Sequence, residues 1–326
     1  MIFERFERVR SGLRRYAMAI VLMVLCAILA VQADNFFTKD NLLNVLRNVS
    51  MQGIIAFAMT MVIIAGEIDL GVGSAAAFSG CLVAWLTGFL AGPRVGMPMA
   101  GAIAASVLAS IAVGSAIGSV TGYLRVRFSV PTFIATLAWM TVLKGSAELI
   151  TNGFPLTPFP PWYNFIGGGY VWDVPFPAII FLLVFVAIQF LMNYTAFGQA
   201  VYAVGGNAEA ARLSGIRVGR VKILVMGIVA GLAAMSGIML SSQIMSGSAT
   251  TAKGWELDVI SAVIIGGTSL MGGSGTVWGT LIGVVFLGVL GNGMTLLNIS
   301  EYWQHVVQGA LILAAVLINM APAARK

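Results

Sequence analysis

Residues 49–91 read VSMQGIIAFAMTMVIIA (49–65), GEIDL (66–70) and GVGSAAAFSGCLVAWLTGFLA (71–91). Two uncharged apolar runs, each near the length a helix needs to cross ~30 Å of hydrocarbon, flank two carboxylates placed two residues apart. An ionisable side chain at mid-membrane costs about 2.5–3.5 kcal/mol on insertion scales, so Glu67 and Asp69 need a reason to be there. Gly71 and Gly73 loosen the start of the second run. The pattern predicts two membrane spans joined by a break.

The rest of the chain agrees. Of 326 residues, 59% are hydrophobic and 9% charged, against ~25% charged in an average soluble domain, and mean hydropathy is +0.96. A soluble enzyme, a nucleic-acid binder and a disordered protein are excluded together. The net charge of +6 comes from scattered residues rather than a phosphate-tracking stripe, so anionic membrane lipid is the partner it suggests. Cys26 and Cys81 lie in apolar runs and read as packing residues. With His305 as the one histidine, they build neither a disulfide framework nor a metal site.

Further apolar runs occupy 17–33, 98–122, 130–151, 175–193, 221–245, 257–271, 276–297 and 302–320. With 49–65 and 71–91 they make an all-α polytopic membrane protein of about ten transmembrane helices, some broken. The first run also looks like a signal peptide, but an uncleaved anchor suits a polytopic chain better. Residues 39–48 read as a short polar surface helix. The 257–271 run is too short to span alone, and Gly266, Gly267, Gly272, Gly273 and Gly275 interrupt or follow it. Gly114, Gly118 and Gly122, four apart, predict a close helix contact.

Orientation follows from counting. A ten-pass chain places 1–16, 122–130, 194–222 and 321–326 on one side of a single transmembrane domain spanning 17–320. Those stretches hold 13 of the 18 basic residues, among them Arg125, Arg127, Arg212, Arg217, Arg220 and Lys222. The positive-inside rule then puts both termini in the cytoplasm.

No catalytic residue is assigned. The stretch GGSGTVWG (272–279) lacks the lysine followed by serine or threonine of a phosphate loop. Ser79 with the distant His305 is too weak a pair to read as a hydrolase. A second carboxylate pair, Glu256 and Asp258, opens the broken segment. In ten passes the helices before the two pairs run in opposite directions, which suggests an inverted repeat with discontinuous helices at a solute path. Glu67, Asp69, Gly71, Gly73, Glu256, Asp258, Gly266, Gly267 and Asn292 are the residues assigned to that path or its helix breaks. Asp69 and Asp258 read first as helix N-caps, a role that does not exclude shaping the path. Lys144 and Glu148, four apart, read as a neutralising pair. Trp162, Tyr163, Tyr170, Trp172, Tyr302 and Trp303 read as an interfacial belt.

The 194–222 loop contains GGNAEAARLSGI (205–216). Asn207 suits an N-cap and Gly215 a C-terminal stop, so the spacing predicts a helix of about seven residues. So short a helix needs something to pack on. Glu209-Ala210-Ala211 followed by Gly215 resembles the EAA-x3-G loop of bacterial ABC importer permeases. GEIDLGVGS (66–74), NAEAARLSGI (207–216) and GWELDVISAVIIGGTSLMGGSGTVWGTLIG (254–283), in that order, resemble the ribose/xylose-type monosaccharide permeases. Glu67 departs from that pattern, which has a small residue there.

The resemblance implies an inner-membrane permease for a monosaccharide or similar small polar solute, with an amino acid, nucleoside or signalling molecule as the alternative within the class. It implies an ABC ATPase subunit using ATP and Mg, a periplasmic solute-binding protein, and a second permease subunit. This chain would bind no cofactor. Asn207, Glu209, Ala210, Ala211, Arg212 and Gly215 would form the ATPase-coupling helix. An ion-gradient-driven secondary transporter is the rival reading of the carboxylates within the apolar segments.

Overall fold

A computed structural model describes residues 18–320; the expectations for 1–16 and 321–326 lie outside the described residues. The helices are α1 (Met18–Gln32), α2 (Lys39–Ile64), α3 (Val72–Ala91), α4 (Met99–Phe128), α5 (Thr132–Thr151), α6 (Phe165–Gly168), α7 (Phe176–Tyr194), α8 (Ala196–Gly206), α9 (Ala208–Leu213), α10 (Val218–Gln243), α11 (Trp255–Ile265), α12 (Val277–Leu296) and α13 (Glu301–Met320). Seven of the described helices are long and apolar enough to cross a membrane: α2, α3, α4, α5, α7, α10 and α12. The other three expected runs are occupied by α1, α11 and α13.

The bundle is built around α2 and α10, which pack on each other. Their apolar stretches are 83% and 67% buried, whereas those of α4 and α5 are only 28% and 22% buried. The peripheral helices keep apolar faces outward, as lipid requires. The α4–α10 contact is the glycine seam expected from the sequence. A Cβ on Gly118 would lie 2.6 Å from Ala230 Cβ, and one on Gly122 would lie 2.6 Å from Ile223 Cα. Backbones approach this closely because helix association in lipid depends on packing.

The expected surface helix over 39–48 does not exist as a separate element. It is the first part of α2, which runs unbroken for 26 residues. Several of its polar groups find partners in place. The Thr38 hydroxyl caps the helix, Asn41 and Asn292 exchange amide hydrogen bonds of 2.8 and 3.0 Å, and Arg47 lies over the Tyr170 ring. These tertiary partners let polar residues extend an apolar span.

The Pro- and aromatic-rich stretch folds as a 3-10 turn (Pro161–Asn164), α6, and a two-strand hairpin, β1 (Tyr170–Val171) with β2 (Val174–Pro175). Trp162, Tyr170, Trp172, Tyr302 and Trp303 are exposed, but Tyr163 is fully buried, with its hydroxyl 3.1 Å from Ser241 Oγ. It packs the turn onto α10 and does not belong to the belt. Both cysteines are free.

Candidate functional site

The chain between α2 and α3 is non-helical, yet both of its carboxylate side chains are buried, Glu67 and Asp69 each 5% exposed. Away from water such backbone must find partners in the protein. α5 supplies them: Thr132 Oγ1 accepts from Ile68 N at 3.4 Å, and Thr136 Oγ1 accepts from Leu70 N at 3.0 Å. The registers match, because two residues of extended chain and four residues of helix both advance about 6–7 Å. Asp69 Oδ1 accepts from Gly71 N at 2.8 Å. The N-cap of α3 is Gly71, so Asp69 secures the turn before the helix rather than capping it.

Glu67 is the centre of an ion cluster. Arg125 Nε lies 2.9 Å from its Oε1, Thr132 Oγ1 donates to its Oε2 at 2.7 Å, and Lys222 Nζ donates to Oε1. Arg125 ends α4 and Lys222 begins α10. The cluster therefore ties three elements together at the end of the bundle that also carries α9.

The second break lies between α10 and α11. Gly254, at φ +84, is the N-cap of α11. Asp258 sits inside the first turn and accepts from Gln52 Nε2 on α2 at 3.1 Å, so it too is not the cap. α11 stops at Gly266, whose backbone packs on Gly279, and Gly267 turns the chain at φ +90. The loop after it returns to α2 through a 2.9 Å bond from Gly273 N to Ile64 O.

The two breaks meet. A Cβ on Gly73 would strike the Glu256 carboxylate and lie 2.7 Å from the Ala252 carbonyl oxygen. Both residues line a cavity of about 430 Å³ formed by the start of α3, one face of α5 and the 249–256 loop. Ser74, Thr250 and Thr251 add hydroxyls to it; Lys144, Glu148 and Lys253 add charge. The expected Lys144–Glu148 pair is not formed: among the described residues no ion pair within 4.0 Å joins them. Both are exposed and turn toward the cavity, which sequence spacing alone could not distinguish from pairing. A face carrying charges of both signs on a membrane helix cannot sit against lipid tails without cost.

Glu67, Asp69, Asp258, Gly266, Gly267 and Asn292 do not line this cavity. Asp69 and Gly71 border a separate void of about 20 Å³, room for about one water. Asn292 is engaged with Asn41.

The predicted short helix is present as α9. Asn207 Oδ1 accepts from the backbone N–H groups of Glu209 and Ala210 at 3.1 and 2.9 Å. Gly215, at φ +85, and the 3.0 Å bond from Ile216 N to Ala211 O close it with a Schellman turn. Glu209 and Arg212 form an exposed ion pair at the helix surface; the hydrogen bond from Arg212 holds the Glu209 carboxyl below its ordinary range. Only Ala211 is buried, and Leu213 is 74% exposed. The amphipathic α8 before it was not anticipated. Gly205 near its end packs against Ile64 and Gly273, so the α9 loop rests on the end of α2 and on the loop between α11 and α12.

Residues 41–316 match the family described as branched-chain amino acid transport system / permease component. The ribose import permease protein RbsC of Bacillus subtilis (strain 168) is 43% identical over 300 residues, 91% of this chain and 90% of the relative. Its namesake from Escherichia coli (strain K12) is 42% identical over 304 residues, 92% of each. The L-arabinose ABC transporter permease protein AraH of Azospirillum brasilense is 36% identical, covering 96% and 90%. No solved structure matches the chain. A helical bundle with two breaks and a short exposed helix, matched along nearly its whole length to transport permeases, the chain belongs to this family of transport-system permease components.

Proposed function

We propose that the chain is the membrane subunit of an ATP-driven importer that moves a monosaccharide or similar small polar solute across a bacterial inner membrane. The observation that carries this reading is identity above 40% with ribose import permeases over about nine-tenths of both lengths. The cavity suits such a solute. Charged groups of both signs and several hydroxyls offer donors and acceptors to a polyhydroxyl compound, and about 430 Å³ is within the usual size range of a ligand pocket.

The finer architecture is part of the same proposal. Ten passes with an inverted repeat are supported by matching contacts: α10 packs on α3 and α4 as α2 packs on α11 and α12, and α3–α5 is matched by α11–α13. Cytoplasmic termini are supported by Arg125, Lys222 and α9 sharing one end of the bundle. At that end α9 would dock on an ATPase that supplies ATP and Mg, while a periplasmic binding protein delivers solute to the other. A second permease subunit would cover the open, charged side of the cavity, and closure of the ATPase would alternate its access.

The test is uptake by proteoliposomes holding the permease, its ATPase and its binding protein, offered labelled ribose, arabinose, xylose and leucine. Saturable ATP-dependent uptake of a sugar supports the reading. Uptake of leucine alone overturns the sugar assignment.

A further inference from the structure

Three facts place Glu67 in an unusual position. It lies in the buried break between α2 and α3, its carboxylate is held by Arg125 and Thr132, and it also accepts from Lys222. Lys222 is four residues into α10, and only four residues separate α10 from α9. On the other side of Glu67 the extended chain runs along α5 from Thr132 past Thr136 to Gly73, which forms the cavity wall against Glu256. A continuous line of bonded groups therefore connects the exposed α9 to the cavity. Gly205 of α8 also touches Ile64, but among the described residues the Lys222–Glu67 pair is the one ion pair between α10 and the 65–71 segment.

We propose that the Lys222–Glu67 ion pair is the link through which displacement of α9 moves the 65–71 segment and so the Gly73 wall of the cavity. Glu67 and Lys222 are positioning residues on this account, since neither touches the cavity. The pair suits the task physically. A helix N-terminus can pull an extended segment only through a contact that does not slip. A largely buried charge contact keeps its strength where an exposed one is screened; Lys222 is 14% exposed in its side chain and Glu67 4%. The Thr132 and Thr136 bonds hold the segment against α5, so its motion is confined along that helix. The inference rests on the importer reading above.

Lys222→Met tests it, because Arg125 and Thr132 still hold Glu67 and the break stays anchored while the link to α10 is cut. In proteoliposomes with ATPase and binding protein, solute uptake and ATP hydrolysis are measured together. The expected result is retained hydrolysis with uptake per ATP reduced about tenfold, a size usual for coupling between sites. Arg125→Met is the comparison: it removes a partner of the same carboxylate outside the α9 line, and uptake per ATP is expected to stay near wild type. If Lys222→Met does not assemble, Lys222→Gln carries the same test, with Lys222→Arg expected to restore coupling. Equal uptake per ATP in the wild type and the folded Lys222 variant overturns the proposal, and so does an equal loss in the Arg125 and Lys222 variants. Failure of the wild type to take up solute with ATP overturns the importer reading instead.

Discussion

Arg125 Nε lies 2.9 Å from Glu67 Oε1, joining the last turn of α4 to the gap between α2 and α3 across 58 residues of sequence. This contact and the bond from Lys222 neutralise a carboxylate that would otherwise be buried alone. Replacing Glu67 with Ala leaves two cations facing each other around an empty site. Removing one partner of a buried pair costs on the order of 3 kcal/mol; the partial exposure of Arg125 keeps the figure at the lower end. The melting midpoint of the detergent-solubilised protein should fall by several degrees. An unchanged midpoint would show that the cluster holds nothing together.

Thr136 is the acceptor for Leu70 N in the same segment. Thr136→Val keeps the shape of the side chain and removes the acceptor, stranding a partly buried N–H at a cost of about 1 kcal/mol. Thr141, an exposed residue of α5 whose hydroxyl bonds only within its own helix, is the control. Thermal melts should separate the two valine variants, with Thr141→Val close to wild type.

Lys144 and Glu148 are exposed and form no ion pair within 4.0 Å among the described residues, so their removal should scarcely alter stability, by about 0.5 kcal/mol or less. Their position on the cavity predicts a different effect on transport. Lys144→Met and Glu148→Gln should each lower uptake at a fixed solute concentration several-fold while melting normally. Wild-type uptake by both would remove the α5 face from the path.

Since only Ala211 of α9 is buried, replacing 209–215 with a Gly/Ser linker should leave the bundle folded. The expected loss is in the ATPase: binding-protein stimulation and uptake should both vanish, while the variant elutes and melts as wild type. Persistent stimulation would contradict the docking role.

Much of this was legible in the sequence because the bilayer enforces it. Apolar runs marked most of the long helices to within a few residues, though α2 begins ten residues before its run and α4 ends six after it. Gly71 and Gly73 beside a carboxylate pair marked the first break. Asn207 and Gly215 bounded α9 correctly, since capping is local chemistry. The features that stayed hidden depended on partners distant in the chain. Glu67 read as a charge near a path because nothing in its neighbourhood announces Arg125 or Lys222. Asp69 and Asp258 read as caps because residue type and position fit, yet Gly71 and Gly254 take those places. Residues 39–48 read as a separate helix because polarity was visible and Asn292 was not. Lys144 and Glu148 have the spacing of a pair, and only the fold shows the cavity they face.

Whether this chain moves solute only under power from a separate ATPase is decided by its energy source. Purified chain is reconstituted alone or with its ATPase and binding protein, and uptake of labelled sugar is followed under ATP, a proton gradient or a sodium gradient. An ATP-driven permease gives uptake only in the complete assembly with ATP. Uptake by the chain alone under either ion gradient would show instead a transporter that needs no ATPase.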